Sequence, residues 1–226
     1  MESRYLKNEK MLSRDENSSL RTKKVAVIGC GGIGGYIIEM LARLGIGNIT
    51  AVDGDVFEAS NLNRQLLSSP SNIGKSKALA AIQRVKMINP GINSKAIPQY
   101  ITENNGIELL AGHDVIADAL DSIPARKILQ DIGDKLHIPI VYGAIAGWYA
   151  QLSTIYPGDR SLDKLYPEDY TKGIETELGN PSFTPALVAS LQVAEIVKVL
   201  LKREGVLQNK LMTINTLSME CLIIDL

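Results

Sequence analysis

The stretch Gly29-Cys30-Gly31-Gly32-Ile33-Gly34 lies between an apolar segment, 25–28, and a second apolar segment, 36–44. This order predicts a buried strand, a glycine turn and a helix, which together place a nucleotide phosphate at the N-terminus of the helix. The first glycine allows the tight turn, the second lets the backbone approach a phosphate, and Gly34 allows the helix to pack closely on the strand. Asp53 ends the next predicted strand, at roughly the 20-residue offset of a carboxylate that binds a ribose hydroxyl. The sequence therefore predicts a nucleotide site but does not specify the nucleotide.

The composition of the 226-residue protein limits the ligands and locations that we expect for it. Lys and Arg (24 residues) balance Asp and Glu (25), and a net charge of −1 gives no reason to expect nucleic acid as the principal ligand. The two cysteines are too few for a four-thiolate zinc site or a disulfide scaffold; Cys30 fits the glycine turn as a small residue, and Cys221 is expected in a buried core. The sequence has neither a signal-like start nor an apolar run near the roughly 20 residues that span a membrane. We expect a cytoplasmic protein that is not bound to membranes.

Strand-like and helix-like segments alternate between residues 24 and 143. The predicted strands are 24–28, 48–53, 93–98, 114–118 and 138–143. The predicted helices are 33–44, 75–88, 103–111 and 123–136. Such alternation predicts parallel β-α-β units with helices on both faces of one sheet, which is an α/β, Rossmann-like fold.

The pattern changes after residue 143. We predict an antiparallel strand at 149–156, a long loop at 158–182, a helix at 184–203, and a C-terminal hairpin formed by 210–215 and 219–225. Residues 1–23 are polar and are predicted to form an arm with a short helix. The domain organisation is therefore this arm followed by a single domain over 24–226, whose mostly parallel sheet ends in antiparallel strands.

Polar side chains cluster where the predicted strands end. Asp53 and Asp55 precede the polar segment 60–65, and Asp121 follows another strand. Lys77 lies near the start of a helix, where the helix dipole disfavours a cation unless an anion is close. The carboxyl ends of parallel strands form the crevice that binds ligands in such sheets, and a carboxylate there could hold magnesium against phosphates. The alternatives are a solvated loop at 60–65 and a helix N-cap at Asp121.

Together these segments resemble the ThiF/MoeB/HesA superfamily, the bacterial relatives of ubiquitin-activating enzymes. The resemblance covers residues 1–156 and 184–203. It is carried by the motifs Gly29-Cys-Gly-Gly-Ile-Gly34, Asp53-Gly-Asp55, Ser60-Asn-Leu-Asn-Arg64-Gln65, Gly74-Lys-Ser-Lys77 and Asp118-Ala-Leu-Asp121. The third and the last motif separate this family from NAD-binding proteins.

The resemblance implies that 24–226 is an adenylation domain that uses ATP and Mg²⁺. Its substrate would be the C-terminal glycine of a small ubiquitin-like sulfur-carrier protein of the MoaD/ThiS type, which ends in Gly-Gly. The product would be an acyl adenylate for sulfur transfer in molybdopterin or thiamine biosynthesis.

The same resemblance implies roles for individual residues. The nucleotide site would comprise Gly29, Gly31, Gly32, Gly34, Asp53, Asp55, Asn61 and Gln65, with Asp53 on the ribose. The triphosphate would contact Arg64, Gln65 and Lys77, and Asp121 would bind Mg²⁺. Arg4 matches an arginine that, in the family, reaches across a homodimer into the neighbouring site. The expected catalytic residues are therefore Arg4, Arg64, Lys77 and Asp121.

The chain departs from many relatives in its cysteines. Those relatives bind structural zinc through two Cys-x-x-Cys pairs, which would fall near 161–164 and near the C-terminal hairpin; neither pair is present, so we predict no zinc. Relatives that bond covalently to their carrier place a cysteine in the long loop, and 158–182 contains none. This favours the MoeB mode, in which the acyl adenylate is released for another protein to sulfurate.

Other functions stay open at this point. The substrate could be a peptide or a tRNA-linked carboxylate, as in the threonylcarbamoyladenosine dehydratase branch of the family, although the balanced charge does not favour tRNA. An NAD(P)-dependent oxidoreductase would need a second substrate-binding region, and the C-terminal third has only a loop, a helix and a hairpin. A nucleotide-binding scaffold that has lost catalysis would explain the missing cysteines. It would not explain why Arg64, Lys77 and Asp121 are retained.

Overall fold

The computed structural model describes residues 3–167 and 175–226, and within them eight strands form one sheet in the order β3-β2-β1-β4-β5-β6-β7-β8. Neighbouring strands from β3 to β5 are parallel, and those from β5 to β8 are antiparallel. The strands are β1 Lys24–Ile28, β2 Asn48–Val52, β3 Asn93–Ile97, β4 Val115–Asp118, β5 Ile140–Ala146, β6 Tyr149–Ile155, β7 Lys210–Asn215 and β8 Glu220–Asp225. The predicted α/β class with antiparallel C-terminal strands is confirmed.

The predicted helices all form, with differences at their ends, and two short helices, α6 and α7, were not predicted. They are α1 Arg14–Leu20, α2 Gly32–Leu44, α3 Lys77–Ile88, α4 Gly106–Leu110, α5 Ile123–Leu136, α6 Ser161–Leu165, α7 Glu175–Leu178 and α8 Phe183–Leu200. Helix α3 begins at Lys77 because the Ser76 hydroxyl caps it by accepting a hydrogen bond from the Leu79 amide. The predicted helix at 103–111 is shorter, since only Gly106–Leu110 is helical.

Helices cover both faces of the parallel part of the sheet. One buried cluster joins the sheet to α2, α3 and α8, and a second joins it to α4, α5 and α6. Alternate residues of β1 belong to different clusters: Val25 and Val27 to the first, Ala26 and Ile28 to the second. Because successive side chains of a strand point to opposite faces, a continuous apolar run fits a strand that is buried on both faces.

The crevice of this sheet lies between the carboxyl ends of β1 and β4. The chain passes from β1 into α2 on one face and from β4 into α5 on the other face. Such a reversal opens a gap at the ends of the two strands, and ligands of open α/β sheets bind there. The fold thus places the glycine turn after β1 beside Asp121, which follows β4.

Helix α8 passes a length and composition test for a membrane-crossing helix, which no other described helix passes. It packs against α2 and β5, and 56% of it is buried inside the molecule. The apolar composition of α8 is therefore explained by its place in the first core cluster.

The N-terminal residues pack on the domain. Ser13 and Glu16 form a reciprocal capping box at the start of α1, as the predicted short helix requires. Leu12 and Leu20 are fully buried in the first core cluster. The Tyr5 hydroxyl accepts a hydrogen bond of 2.6 Å from the Asn89 side chain at the end of α3.

The segment 158–182 differs from the predicted long loop, because α6 and α7 lie in its described part. Arg160 pairs with Asp131 and Asp134 of α5, and the Gln130 side chain accepts a hydrogen bond from the Leu162 amide. These contacts attach α6 to α5. Helices of five and four residues show no helical periodicity in a sequence, so they are recognised only in the structure. Residues 168–174 lie outside the described residues.

The predicted burial of Cys221 is wrong. Cys221 is exposed on β8, where every residue is exposed. Strand β8 is the edge of the sheet, and its apolar side chains Leu222, Ile223 and Ile224 are also exposed. An apolar strand pattern indicates that a strand forms, but not whether another layer of the same chain covers it.

Candidate active site

A cavity of about 360 Å³ opens at the carboxyl ends of β1, β2 and β4. This volume lies within the range typical of small-molecule sites. Among the residues predicted to form the site, those that line the cavity are Gly29, Gly31, Gly32, Asp53, Asp55, Arg64, Gln65, Lys77 and Asp121. Residues from five separate stretches of the chain are therefore brought together.

The glycine turn forms the floor of the cavity. Gly29 has a φ of 93°, in the left-handed region that favours glycine, and a Cβ at this position would lie 2.5 Å from the Ala119 carbonyl oxygen. Gly31 is the N-cap of α2 and has no side chain to cap it. The first amide groups of α2 thus remain available to an anion, and the helix dipole favours negative charge there.

Asp53 connects the end of β2 to the glycine turn. One carboxylate oxygen accepts a hydrogen bond of 2.7 Å from the Cys30 amide, and the other accepts one of 2.8 Å from the Asp55 amide. Burial raises the pKa of Asp53 above its ordinary value, while these two amide hydrogen bonds act in the opposite direction. Asp53 therefore holds the turn in shape and presents its carboxylate to the cavity.

Lys77 and Asp55 form an ion pair inside the site. Lys77 is only 7% exposed to solvent. Its side-chain amine lies 2.9 Å from an Asp55 carboxylate oxygen. The other oxygen of Asp55 accepts a hydrogen bond from the Tyr100 hydroxyl. Burial alone would raise the pKa of Asp55, but the hydrogen bonds from Tyr100 and Lys77 hold it below its usual value. Asp55 thus orients the Lys77 amine in the cavity that the glycine turn also lines.

Arg64 and Gln65 follow a short 3₁₀ turn, Ala59–Asn61, and face the glycine turn. Arg64 donates hydrogen bonds of 2.9 Å to the Ser60 carbonyl and to the Asn63 side chain. The buried side-chain amide oxygen of Gln65, Oε1, has no hydrogen-bond partner within the described residues. Because an unpaired buried polar atom is costly, this oxygen favours a ligand at this point.

Asp121 lies on the rim of the cavity, and Ser122 occupies the N-cap of α5. The Ser122 hydroxyl accepts a hydrogen bond from the Ala125 amide. The exposed Asp121 carboxylate makes no hydrogen bond or ion pair within 3–167 and 175–226. Capping is therefore done by Ser122, and the alternative role of Asp121 as a cap is not needed.

Three predicted site residues lie outside the cavity lining. Gly34 is inside α2, where a Cβ would lie 1.8 Å from the Gly29 carbonyl oxygen, so its role is close packing. The Asn61 side chain accepts a hydrogen bond from the Glu58 amide and stabilises the 3₁₀ turn. Arg4 donates to the Ile88 carbonyl at 3.3 Å, near the end of α3.

Tyr100, Arg126 and Tyr166 also line the cavity, although the sequence did not indicate them as site residues. Arg126 lies in the first turn of α5, and a cation there opposes the helix dipole, which is the same signal that indicated Lys77. The two tyrosines carry no such signal, because tertiary packing alone brings them to the cavity. In the described parts of the chain, no group of three or more His, Cys, Asp or Glu side chains could hold a metal ion. The prediction of no zinc stays a prediction.

Comparisons with known proteins agree with these motifs. The chain matches the ThiF family over residues 3–225. It is 32% identical to the SAMP-activating enzyme E1 of Haloferax volcanii, over 88% of this chain and 75% of that protein. It is 34% identical to the sulfur carrier protein adenylyltransferase of Thermus thermophilus, over 80% of this chain and 70% of that protein.

A solved structure shows the same fold. The crystal structure of E. coli MccB with MccA-N7isoASN has a TM-score of 0.81 and 22% sequence identity to this chain. The match covers 93% of this chain and 66% of MccB, so the chain spans just under two thirds of that protein.

Proposed function

This chain belongs to the ThiF family, and we propose that it is an adenylyltransferase that uses ATP to activate the C-terminal glycine of a small ubiquitin-like sulfur-carrier protein ending in Gly-Gly. The observation that carries the proposal is the convergence of Arg64, Lys77 and Asp121 on the uncapped start of α2 in one cavity. The name of the Thermus thermophilus relative supports the sulfur-carrier substrate.

The reaction joins a carrier carboxylate oxygen to the α-phosphorus of ATP and releases pyrophosphate. Negative charge develops on the phosphate oxygens in the transition state, so fixed cations and amide groups aimed at them lower the barrier. Arg64 and Lys77 supply the cations, and the glycine turn supplies the amides. Asp55 holds the Lys77 amine in place before ATP arrives. The product is an acyl adenylate, and the pathway that uses it is left open between molybdopterin and thiamine biosynthesis.

Magnesium fits this site as an ion that arrives with ATP. Mg²⁺ prefers one or two carboxylates together with phosphate oxygens and water. Asp121 offers one exposed carboxylate on the cavity rim, which suits such a shared ion and not a site built from protein ligands alone. When bound, the ion would neutralise charge on the triphosphate.

The environments of the two cysteines are consistent with release of the acyl adenylate without a covalent enzyme intermediate. Burial raises the pKa of the Cys30 thiol well above its ordinary value, which disfavours the reactive thiolate. Cys221 is exposed on the far edge strand β8 and does not line the cavity. We therefore propose that another protein sulfurates the carrier adenylate.

ATP–pyrophosphate exchange tests this function directly. With Mg²⁺ and a Gly-Gly carrier, we expect exchange that is lost when the carrier lacks its terminal glycine. The truncated carrier is the matched control, because it removes only the carboxylate position that would attack ATP. Exchange driven instead by a peptide or a tRNA-linked carboxylate would assign the alternative substrate. Binding of NAD without binding of ATP would contradict the proposal.

We further propose that the enzyme acts as a cytoplasmic homodimer in which Arg4 serves the site of the partner subunit. In its own chain Arg4 lies near the end of α3 and outside the cavity lining, which supports a role in trans. Arg4→Ala and Asp121→Ala should each abolish exchange. An equimolar mixture of the two variants should regain about a quarter of the wild-type sites, because random pairing makes half of the dimers mixed and each mixed dimer has one intact site of two. Native mass spectrometry would show whether subunits mix, and mixing without recovered exchange would remove the assignment.

A further inference from the structure

Beneath the rim of the cavity, two buried side chains hold the backbone of one residue, Leu120. The Asp118 carboxylate accepts a hydrogen bond of 3.0 Å from the Leu120 amide. The Arg126 guanidinium donates a hydrogen bond to the Leu120 carbonyl. Asp118 is fully buried and Arg126 is only 5% exposed. We call Asp118, Arg126 and the Leu120 backbone the Leu120 clamp.

The Arg126 guanidinium stacks on an aromatic ring. Its guanidinium carbon lies 4.9 Å from the centre of the Tyr142 ring, and Tyr142 is fully buried on β5. The Tyr142 hydroxyl lies 2.5 Å from the Tyr166 hydroxyl and donates to the Gln151 side chain. Burying a charged guanidinium costs free energy, and the hydrogen bond to Leu120 and the stacking on Tyr142 offset part of that cost. The same contacts fix the position of the Arg126 side chain.

The clamp acts on the residue directly before Asp121. Within the described residues the Asp121 carboxylate makes no hydrogen bond or ion pair, so only the backbone sets its direction. The Leu120 clamp holds that backbone on one side, and the Ser122 cap of α5 holds it on the other. Rotation of the Leu120 peptide would swing Asp121 away from the cavity.

We propose that Arg126 is a positioning residue that, through the Leu120 clamp, aims the Asp121 carboxylate at the magnesium ion of bound ATP. This inference rests on the proposed function, since it takes the ligand to be Mg²⁺-ATP. It predicts that Arg126 affects the magnesium-dependent part of ATP binding and not the part contributed by the glycine turn, Arg64 and Lys77.

The test measures ATP affinity by titration calorimetry, once in Mg²⁺ and once in EDTA. The wild-type protein should bind ATP more tightly in Mg²⁺, and Asp121→Asn should remove this gain. Arg126→Gln should lower the gain about tenfold or more, as groups that orient a metal ligand typically do. Its affinity in EDTA should stay within about twofold of wild type. Lys127→Gln, which removes the same charge from the next residue of α5, should leave both affinities unchanged.

Two further variants keep the test decisive. Arg126→Lys keeps a positive charge and a hydrogen-bond donor, so it should retain part of the gain in ATP affinity that Mg²⁺ gives. It also takes the place of Arg126→Gln in the test if the Arg126→Gln protein does not fold. The double variant Asp121→Asn/Arg126→Gln should resemble Asp121→Asn, because both changes act through one carboxylate.

The outcomes separate this inference from the proposed function. If wild type binds no ATP, the proposed function fails. If wild type shows the magnesium gain but the Arg126 variants keep it in full, the positioning role is overturned alone. Equal losses of affinity in Mg²⁺ and in EDTA would also overturn it, since they would mean that Arg126 contacts the nucleotide directly.

Discussion

Asp121→Asn should lower carrier-dependent ATP–pyrophosphate exchange by about a hundredfold or more while the protein stays folded. The substitution keeps the shape of the side chain but removes the charge that would bind Mg²⁺ on the triphosphate. The fold should tolerate it, because the exposed Asp121 carboxylate makes no hydrogen bond or ion pair in the described parts of the chain. Exchange rates and thermal melting curves of the purified variant measure the two effects.

A second acid provides the control for Asp121. Asp15→Asn removes the same charge from an exposed position on α1, which does not line the cavity, and should leave exchange unchanged. If Asp121→Asn retains more than about a tenth of the wild-type rate, the carboxylate is not needed in the transition state, and its assignment to Mg²⁺ is wrong. If its melting temperature falls sharply, Asp121 has a structural role that its exposed position does not indicate.

Gly34→Ala should destabilise the protein by about 3 kcal/mol or more, the upper part of the range for forcing atoms into a packed interior. A Cβ at this position would lie 1.8 Å from the Gly29 carbonyl oxygen and 2.8 Å from the Gly29 carbonyl carbon. Both are backbone atoms, so no side chain can move aside. The helix α2 must then shift from β1 and distort the glycine turn. For a chain of this length, the melting temperature should fall by roughly 6 to 12 °C.

Gly32→Ala is the matched control for stability, since it adds the same methyl group to the same helix. Its nearest neighbours would be side-chain atoms of Pro185 at 3.5 Å, an ordinary contact distance. We expect the free energy of unfolding of this variant to stay within about 1 kcal/mol of wild type. Equal stability of Gly34→Ala and wild type in chemical denaturation would show that α2 does not pack on the turn in this way.

The sequence alone predicted the central part of the site because that part follows from strand topology. Asp53 and Asp121 each come shortly after a strand, and parallel strands end on one edge of the sheet. Lys77 was predicted from its place near the start of a helix, where the helix dipole disfavours a cation. The glycine turn was predictable for the same reason, since the strand, turn and helix are continuous in sequence. These residues line one cavity in the structure, and their chemical roles stay predictions until the variants are measured.

Other features depended on contacts between distant segments. Arg126 donates a hydrogen bond to the Leu120 carbonyl and stacks on Tyr142 of β5. The Tyr166 hydroxyl, at the end of α6, lies 2.5 Å from the Tyr142 hydroxyl. Cys221 was misjudged because its strand pattern does not indicate which layer, if any, covers the strand. Short helices such as α6 form through contacts with α5, so 158–182 has no periodic signal.

The sequence by itself determined the α/β fold, the order of its strands and helices up to residue 143, and the motifs that carry the family. It could do so because backbone periodicity and turn chemistry act between residues close in the chain. Only the tertiary structure decided which side chains share the cavity, that Gly34 and Asn61 lie outside its lining, and that the Leu120 backbone is bonded by buried side chains. Those outcomes depend on the close packing of segments far apart in sequence, which no local pattern contains.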